Sequence, residues 1–181
     1  MKFVKTFESF GNPQLRYVGP NPTADVIVTR TVDGVQQALL VQRGSDAKAE
    51  ANKWSIPGGF VDTSANPGNE WESGFETELQ AGKREILEET GLDLSEIEDS
   101  KFKILGVFDD KNRDTRNSDT SWVEAHSFTV EIPGSMGNDV MGMDDAQSAR
   151  WFSMKELNQM NKNGFAFDHV DRLKDLGFIS E

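Results

Sequence analysis

The residues best suited to chemistry lie in one short segment, residues 82–92, which reads Gly-Lys-Arg-Glu-Ile-Leu-Glu-Glu-Thr-Gly-Leu. It carries three carboxylates, Glu85, Glu88 and Glu89, directly after Arg84. On a helix, spacings of three and four put side chains on one face, a turn apart. Converging carboxylates repel one another unless a positive charge stands between them. A hard divalent cation with oxygen preference, Mg²⁺ or Mn²⁺ in its place, answers that need and is commonly shared with substrate phosphates. The plainer reading is a solvated helix end, with Arg84 paired to Glu88 at i,i+4 and Gly91 as the residue that closes the helix. Upstream, residues 54–62 (Trp-Ser-Ile-Pro-Gly-Gly-Phe-Val-Asp) form an apolar run broken by a double glycine. Glycine lets backbone approach a ligand closely.

These groups need elements to hold them. Residues 25–31 are β-branched and read as a strand. Asp33-Gly34 is a hairpin signal, and residues 37–42 read as the returning strand. Residues 44–53 read as a polar loop. The carboxylate helix is expected to begin within 69–75 and end at Thr90. Phe75, Leu79, Gly82 and Ile86 make its buried stripe, with Gly82 allowing close approach to a sheet. Further strands are expected at 102–108, 121–132 and 149–152. Ser153 should cap a short helix over 154–160, and a last helix over 168–176 should stop at Gly177. Helices interleaved with strands in this way predict an α/β sandwich with a mixed sheet. Residues 1–23, with Phe3, Phe7, Phe10, Tyr17 and a Gly-Pro-Asn-Pro run, read as an N-terminal arm, and residues 24–181 as the single domain.

Glu76, seven residues, then Arg84-Glu85-Ile86-Leu87-Glu88-Glu89-Thr90-Gly91-Leu92 resembles the signature of the Nudix hydrolases. One departure stands out. The family pattern has five residues between its glycine and first glutamate, whereas 16 separate Gly59 from Glu76 here, an 11-residue insertion. Glu70, which also follows a glycine, therefore competes with Glu76 for the first position. The resemblance implies the Nudix α/β/α sandwich, with Glu85, Glu88, Glu89 and the Gly58 carbonyl as metal ligands. It also implies that Arg84 steadies the glutamates, by pairing with Glu76 or Glu70. Residues 15–25, 116–124 and 142–146 look like segments of mitochondrial-type ADP-ribose pyrophosphatases. A related domain of a melastatin cation channel senses ADP-ribose and lacks the glutamate after the arginine; Glu85 is present here. The reaction implied is Mg²⁺-dependent hydrolysis of ADP-ribose to AMP and ribose 5-phosphate. The alternatives are another nucleoside diphosphate, such as NADH or a nucleotide sugar, and an ADP-ribose-binding module without turnover.

On the substrate side, Arg43, Arg113 and Arg116 suit bidentate contacts to phosphate or ribose. Phe60 offers a stacking face for adenine. Asp144 and Asp145, in a loop before an expected strand, are candidates for the general base; two aspartates stabilising a turn is the competing reading. Asp119, Trp122 and Glu124 enter as substrate-side residues by resemblance only. His126 and His169 lack partners at ligand spacing and read as ordinary side chains.

The 181 residues, 36% hydrophobic and 28% charged, suit one globular domain with a sizeable core. A net charge of −12 argues against nucleic acid as partner. It also obliges an anionic substrate to find local cations. No apolar run reaches spanning length, the first residues are too polar for a signal peptide, and there is no cysteine. A cytoplasmic enzyme without membrane contact is expected. Many relatives in the family pair, so a homodimer is one expected arrangement.

Overall fold

The computed structural model describes residues 15, 18–62 and 76–180. Seven strands form one mixed sheet: β1 (Gly19–Val32), β2 (Val35–Arg43), β3 (Trp54–Ser55), β4 (Gly58–Phe60), β5 (Lys103–Phe108), β6 (Ser121–Ile132) and β7 (Ala146–Ser153). The helices are α1 (Glu78–Thr90), α2 (Met154–Gln159) and α3 (His169–Asp175). β1 pairs in parallel with β6 along its length, and the remaining pairings are antiparallel. Side chains alternate across β1. Ala24, Val26 and Val28 join Ala81 and Ile86 of α1 in one core, whereas Ile27 joins Leu157 of α2 and Leu173 of α3 in a second. The result is an α/β/α sandwich, each fully buried aliphatic side chain contributing roughly 1.5–3 kcal/mol. Among the described residues, no helix is long and apolar enough to cross a membrane.

β1 changes partner on its other edge. Its residues Thr23–Asp25 face β4, and Thr29–Val32 face β2. In the gap between, the Val26 N–H donates to the Pro57 carbonyl at 3.1 Å. The connection between β3 and β4, which carries the glycine pair, is thereby wedged into the split.

Three expectations are corrected. Residues 19–23, assigned to the arm, belong to β1. Odd-numbered residues of that stretch face β6, beginning with Gly19 N–H to the Thr120 carbonyl at 2.7 Å. Pro20 and Pro22 present their missing N–H to the opposite edge, where no ladder bond is lost. The carboxylate helix begins at Glu78, because Thr77 is its N-cap in a capping box with Gln80. The expected start at 69–75, with Phe75 and Glu70, lies outside the described residues, as do the arm aromatics and the body of the insertion. β7 is longer than 149–152 because it follows β2 to Arg43 through a bulge. The Asp33-Gly34 hairpin forms with both residues at positive φ, 51° and 77°, as a type I′ turn requires.

A Cβ placed on Gly82 would stand 2.5 Å from Cγ2 of the fully buried Val26. Gly82→Ala gains about 1 kcal/mol of helix propensity but overpacks at a typical cost of 1–3 kcal/mol. We expect a net loss on the order of 1 kcal/mol in urea unfolding. In a double-mutant cycle, Val26→Ala should remove the clash, so that Gly82→Ala becomes stabilising in that background.

Candidate active site

Helix α1 ends at Gly91 (φ 71°), whose N–H bonds the Leu87 carbonyl at 2.9 Å. With Ala81, Gly82 and Ile86 turned to the core, its three acidic residues stand at three depths. Glu89 is buried, Glu85 is half-buried and Glu88 is exposed. Glu89 Oε2 accepts from the Gly58 N–H at 3.0 Å. The Glu85 carboxylate lies against Gly59, where an added Cβ would collide with it. The paired glycines thus admit two carboxylates from the helix.

Arg84 organises the remainder. Its Nε and Nη2 donate to the two oxygens of Glu76 (3.1 and 2.6 Å), and Nη2 also reaches the Phe60 carbonyl (3.0 Å). Nη1 donates to Glu85 and Glu88, each at 2.8 Å. Glu76 therefore serves as the partner of Arg84 and also accepts from the Asp62 N–H at 2.5 Å. Burial would weaken the Arg84 charge, but hydrogen bonding to Glu76 first, and then to Glu85 and Glu88, holds its pKa above the usual value.

One cavity of about 290 Å³ brings together Glu85, Glu89, Gly58, Gly59, Phe60, Arg43, Arg113, Arg116, Asp144 and Asp145. Burial raises the Glu85 carboxyl despite Arg84. Glu89 is raised well above the usual range, first by burial and then by Glu85 and Asp145. Arg43 has its charge disfavoured first by burial and then by Arg116, while Asp145 and Glu89 favour it. Its Nε is held by the Ala49 carbonyl at 3.0 Å.

Among the described residues, no three His, Cys, Asp or Glu side chains already surround a common point as metal ligands do. The donor chemistry nevertheless fits a hard cation: Glu85, Glu89 and Asp145 are oxygen donors, mutually repelling, at one cavity wall. Full convergence of the three helix carboxylates is corrected, because Glu88 sits at i+3 on the outer flank, bonded to Arg84, and does not line the cavity.

The structure does not bring Asp119, Trp122 and Glu124 to this cavity. Strand alternation points Val123 and Ala125 of β6 into it instead. Glu124 pairs with His126 at 3.1 Å, Trp122 lies under the Lys111 ammonium at 4.3 Å, and Asp119 is exposed.

His169 is a further correction. It lines the cavity and its Nδ1 accepts the Ile56 N–H at 2.8 Å, a partner 113 residues away that local spacing cannot reveal. Burial, then Arg172, lowers its pKa to about 3. The ring is neutral, with the proton on Nε2. Four more groups escaped the sequence reading. Asp114 holds Arg116 (2.6 Å), Phe167 lies 4.5 Å from the Arg116 guanidinium, Asp168 holds Arg113 (2.8 Å), and buried Arg172 bonds Asp25 and, at 2.7 Å, Ser127. Of these, only Asp114, between two arginines in sequence, carried a local signal.

The structure is thus an α/β/α sandwich whose sheet splits beside a carboxylate- and arginine-lined cavity. The chain belongs to the Nudix family: the NUDIX domain model matches residues 19–173. It is similar to the NUDIX domain of Shewanella oneidensis NrtR, solved with ADP-ribose (TM-score 0.66, 21% identity, 96% of this chain and 92% of that one). It is also similar to a bifunctional NMN adenylyltransferase/ADP-ribose pyrophosphatase of Francisella tularensis, solved with AMP and a Mn ion (TM-score 0.65, 24% identity, 88% of this chain). A MutT/nudix protein of Listeria innocua is 30% identical over 87% of this chain and 91% of its own (TM-score 0.59). The chain spans 42% of the Francisella enzyme and 64% of a similar MutT/nudix protein from Enterococcus faecalis.

The raised Glu89 carboxyl has a consequence for metal-free protein. Its folded pKa lies above the unfolded value, so its contribution is fully present below pH 4.5 and is lost as pH rises through the folded pKa. Glu89→Gln keeps the acceptor for Gly58 and removes the titration. We expect the variant to melt higher than wild type at pH 8 in chelator, with the difference vanishing below pH 4.5.

Proposed function

We propose that this Nudix hydrolase domain cleaves the diphosphate of ADP-ribose to AMP and ribose 5-phosphate with Mg²⁺, Mn²⁺ substituting. The observation that carries the reading is the single cavity that joins the carboxylates of Glu85 and Glu89 to the Arg43 guanidinium and the Phe60 ring. Of the three cavity arginines, Arg43 is the one that no carboxylate hydrogen-bonds among the described residues, its Nε donating to a backbone carbonyl. It is the cation available to a diphosphate. Support for the substrate comes from the similarity to the NrtR domain solved with ADP-ribose and to the bifunctional Francisella NMN adenylyltransferase/ADP-ribose pyrophosphatase.

Glu85 and Glu89, with the Gly58 carbonyl completing the set, would hold the metal, while Glu88 stays on Arg84 outside the cavity. When bound, it polarises phosphoryl oxygens, acidifies a water and offsets charge on the leaving phosphate. The chain's own residues do the rest. Arg84 steadies Glu85 and Glu88. The Gly58 N–H orients Glu89. Arg43 binds the bridge, Phe60 stacks on the base, and Asp144 or Asp145 takes the proton from the attacking water. We further propose that the protein is cytoplasmic and, at −12 net charge, avoids nucleic acid.

A second reading is a binding module without turnover. It is favoured by Arg84 lying between Glu85 and Glu88, and by the similarity to NrtR, which has also been solved with a 27-mer DNA.

The test is a chromatographic product assay with ADP-ribose and Mg²⁺, with and without chelator. We expect AMP only with metal. Glu85→Gln should cut kcat by about a hundredfold or more with an unchanged melting temperature. Tight binding without AMP establishes the second reading, and faster cleavage of NADH or a nucleotide sugar changes the substrate. Gly59→Ala probes the seat of Glu85. Its Cβ displaces only the end of a flexible side chain, so stability should hold while kcat falls on the order of tenfold to a hundredfold.

A further inference from the structure

Arg113 stands apart from the other cavity arginines. Its side chain is only 8% exposed. One edge of its guanidinium is locked on Asp168, Nε to Oδ2 at 2.8 Å and Nη2 to Oδ1 at 2.9 Å. The remaining nitrogen, Nη1, is buried without a hydrogen-bond partner among the described residues, in a side chain that lines the cavity. An unmade hydrogen bond on a buried charged donor is costly, so the arrangement is that of a donor kept for a ligand. Its fixed fork gives it a direction that a lysine would lack.

The surroundings decide what ligand atom suits it. Asp168 also accepts from Arg172 Nη2 at 2.9 Å, and Arg172 Nη1 bonds Asp25. Two guanidinium groups meet two carboxylates, and the neighbouring His169 is neutral. Both aspartates stay ionised: burial opposes it, but for Asp25 the Arg172 charge, and for Asp168 the Arg113 hydrogen bonds, prevail. The cluster is therefore an oriented donor with its charge cancelled. A phosphate oxygen would gain little attraction there and would face the buried Asp25 and half-buried Asp168 carboxylates; an uncharged oxygen meets no such repulsion. Phosphate falls to Arg43, which no carboxylate hydrogen-bonds among the described residues.

Resting on the ADP-ribose reading above, we propose that Arg113 is a specificity-determining residue, aimed by Asp168 as its positioning residue, whose free Nη1 donates to a ribose hydroxyl of the substrate. Arg113 reads the sugar and Arg43 the diphosphate.

The test is calorimetric binding with Mg²⁺ of two probes: α,β-methylene ADP-ribose, whose bridge resists hydrolysis, and methylenediphosphonate, the bridge alone. Arg113→Met should weaken the first by about tenfold to a hundredfold, as for a hydrogen bond from a charged donor, and leave the second within about twofold. Asp168→Asn, nearly isosteric and still offering one acceptor, should show the same selective loss to a smaller degree. Arg43→Met should weaken both probes. Equal loss on both probes in Arg113→Met would make it a phosphate ligand and overturn the proposal; so would no loss on either. A general unfolding effect appears as parallel loss with a lowered melting temperature, and counts against the proposal unless Asp168→Asn remains selective. Wild type that binds the methylene analogue but releases no AMP from ADP-ribose overturns the hydrolase reading alone. Wild type that binds neither probe overturns both.

Discussion

Arg84 is the tie on which the candidate site depends. A guanidinium has five N–H donors, and the five bonds of Arg84 go to Glu76 twice, the Phe60 carbonyl, Glu85 and Glu88. A residue just before the helix, a strand on the sheet and two helix positions three residues apart are thereby referred to one planar group. With the side chain 31% exposed, water screens much of the Coulomb energy. The value of the arrangement lies in geometry: each bond fixes a direction, and three carboxylates that would repel one another are spaced by a common cation. Lysine, with three donors on a flexible stem, could not reproduce it.

The second constraint comes from the sheet. A strand has two edges, and β1 gives one of them wholly to β6. Its other edge is divided between β4 and β2. Where strands part, backbone groups need other partners, and the Pro57 carbonyl supplies one by bonding Val26. The glycine pair is thus brought to the mouth of the split, beneath the end of α1. Gly82 allows the helix to lie on Val26, and Gly59 allows Glu85 to lie on β4. Each is a place where a single methyl group would separate two elements that the site requires together.

This explains what was legible in the sequence. Local rules were sufficient for the Asp33-Gly34 turn, the Ser153 cap, β6 and the family signature, because each is written in adjacent residues. They failed at Pro20 and Pro22, where the cost of proline depends on which edge of a strand is paired. They failed at His169 and Arg172 for a related reason. Both sit on a short C-terminal helix whose charged face reads as solvated, yet their partners, the Ile56 N–H and Asp25, are 113 and 147 residues away. Asp119, Trp122 and Glu124 show the converse error. They were carried over by resemblance, and the period of β6 turns Val123 and Ala125 inward in their place. The insertion moved Glu76 in sequence without detaching it from Arg84.

The buried charges can then be sorted by what they cost. Placing Arg172, Asp25, Asp168 and Arg113 out of water carries a desolvation penalty that mutual pairing offsets only in part, and apolar residues of similar size commonly serve stability as well or better. Stability is therefore a poor account of the cluster. Pairing removes charge while preserving direction, and this is what a binding wall needs when the ligand has both charged and uncharged parts. Had all three cavity arginines been unpaired, each would attract the proposed diphosphate, and such a ligand could bind in several registers. With Asp114 and Asp168 paired to two of them, Arg43 is the cavity arginine that no carboxylate hydrogen-bonds among the described residues, and on the proposed reading it sets the orientation of the ligand.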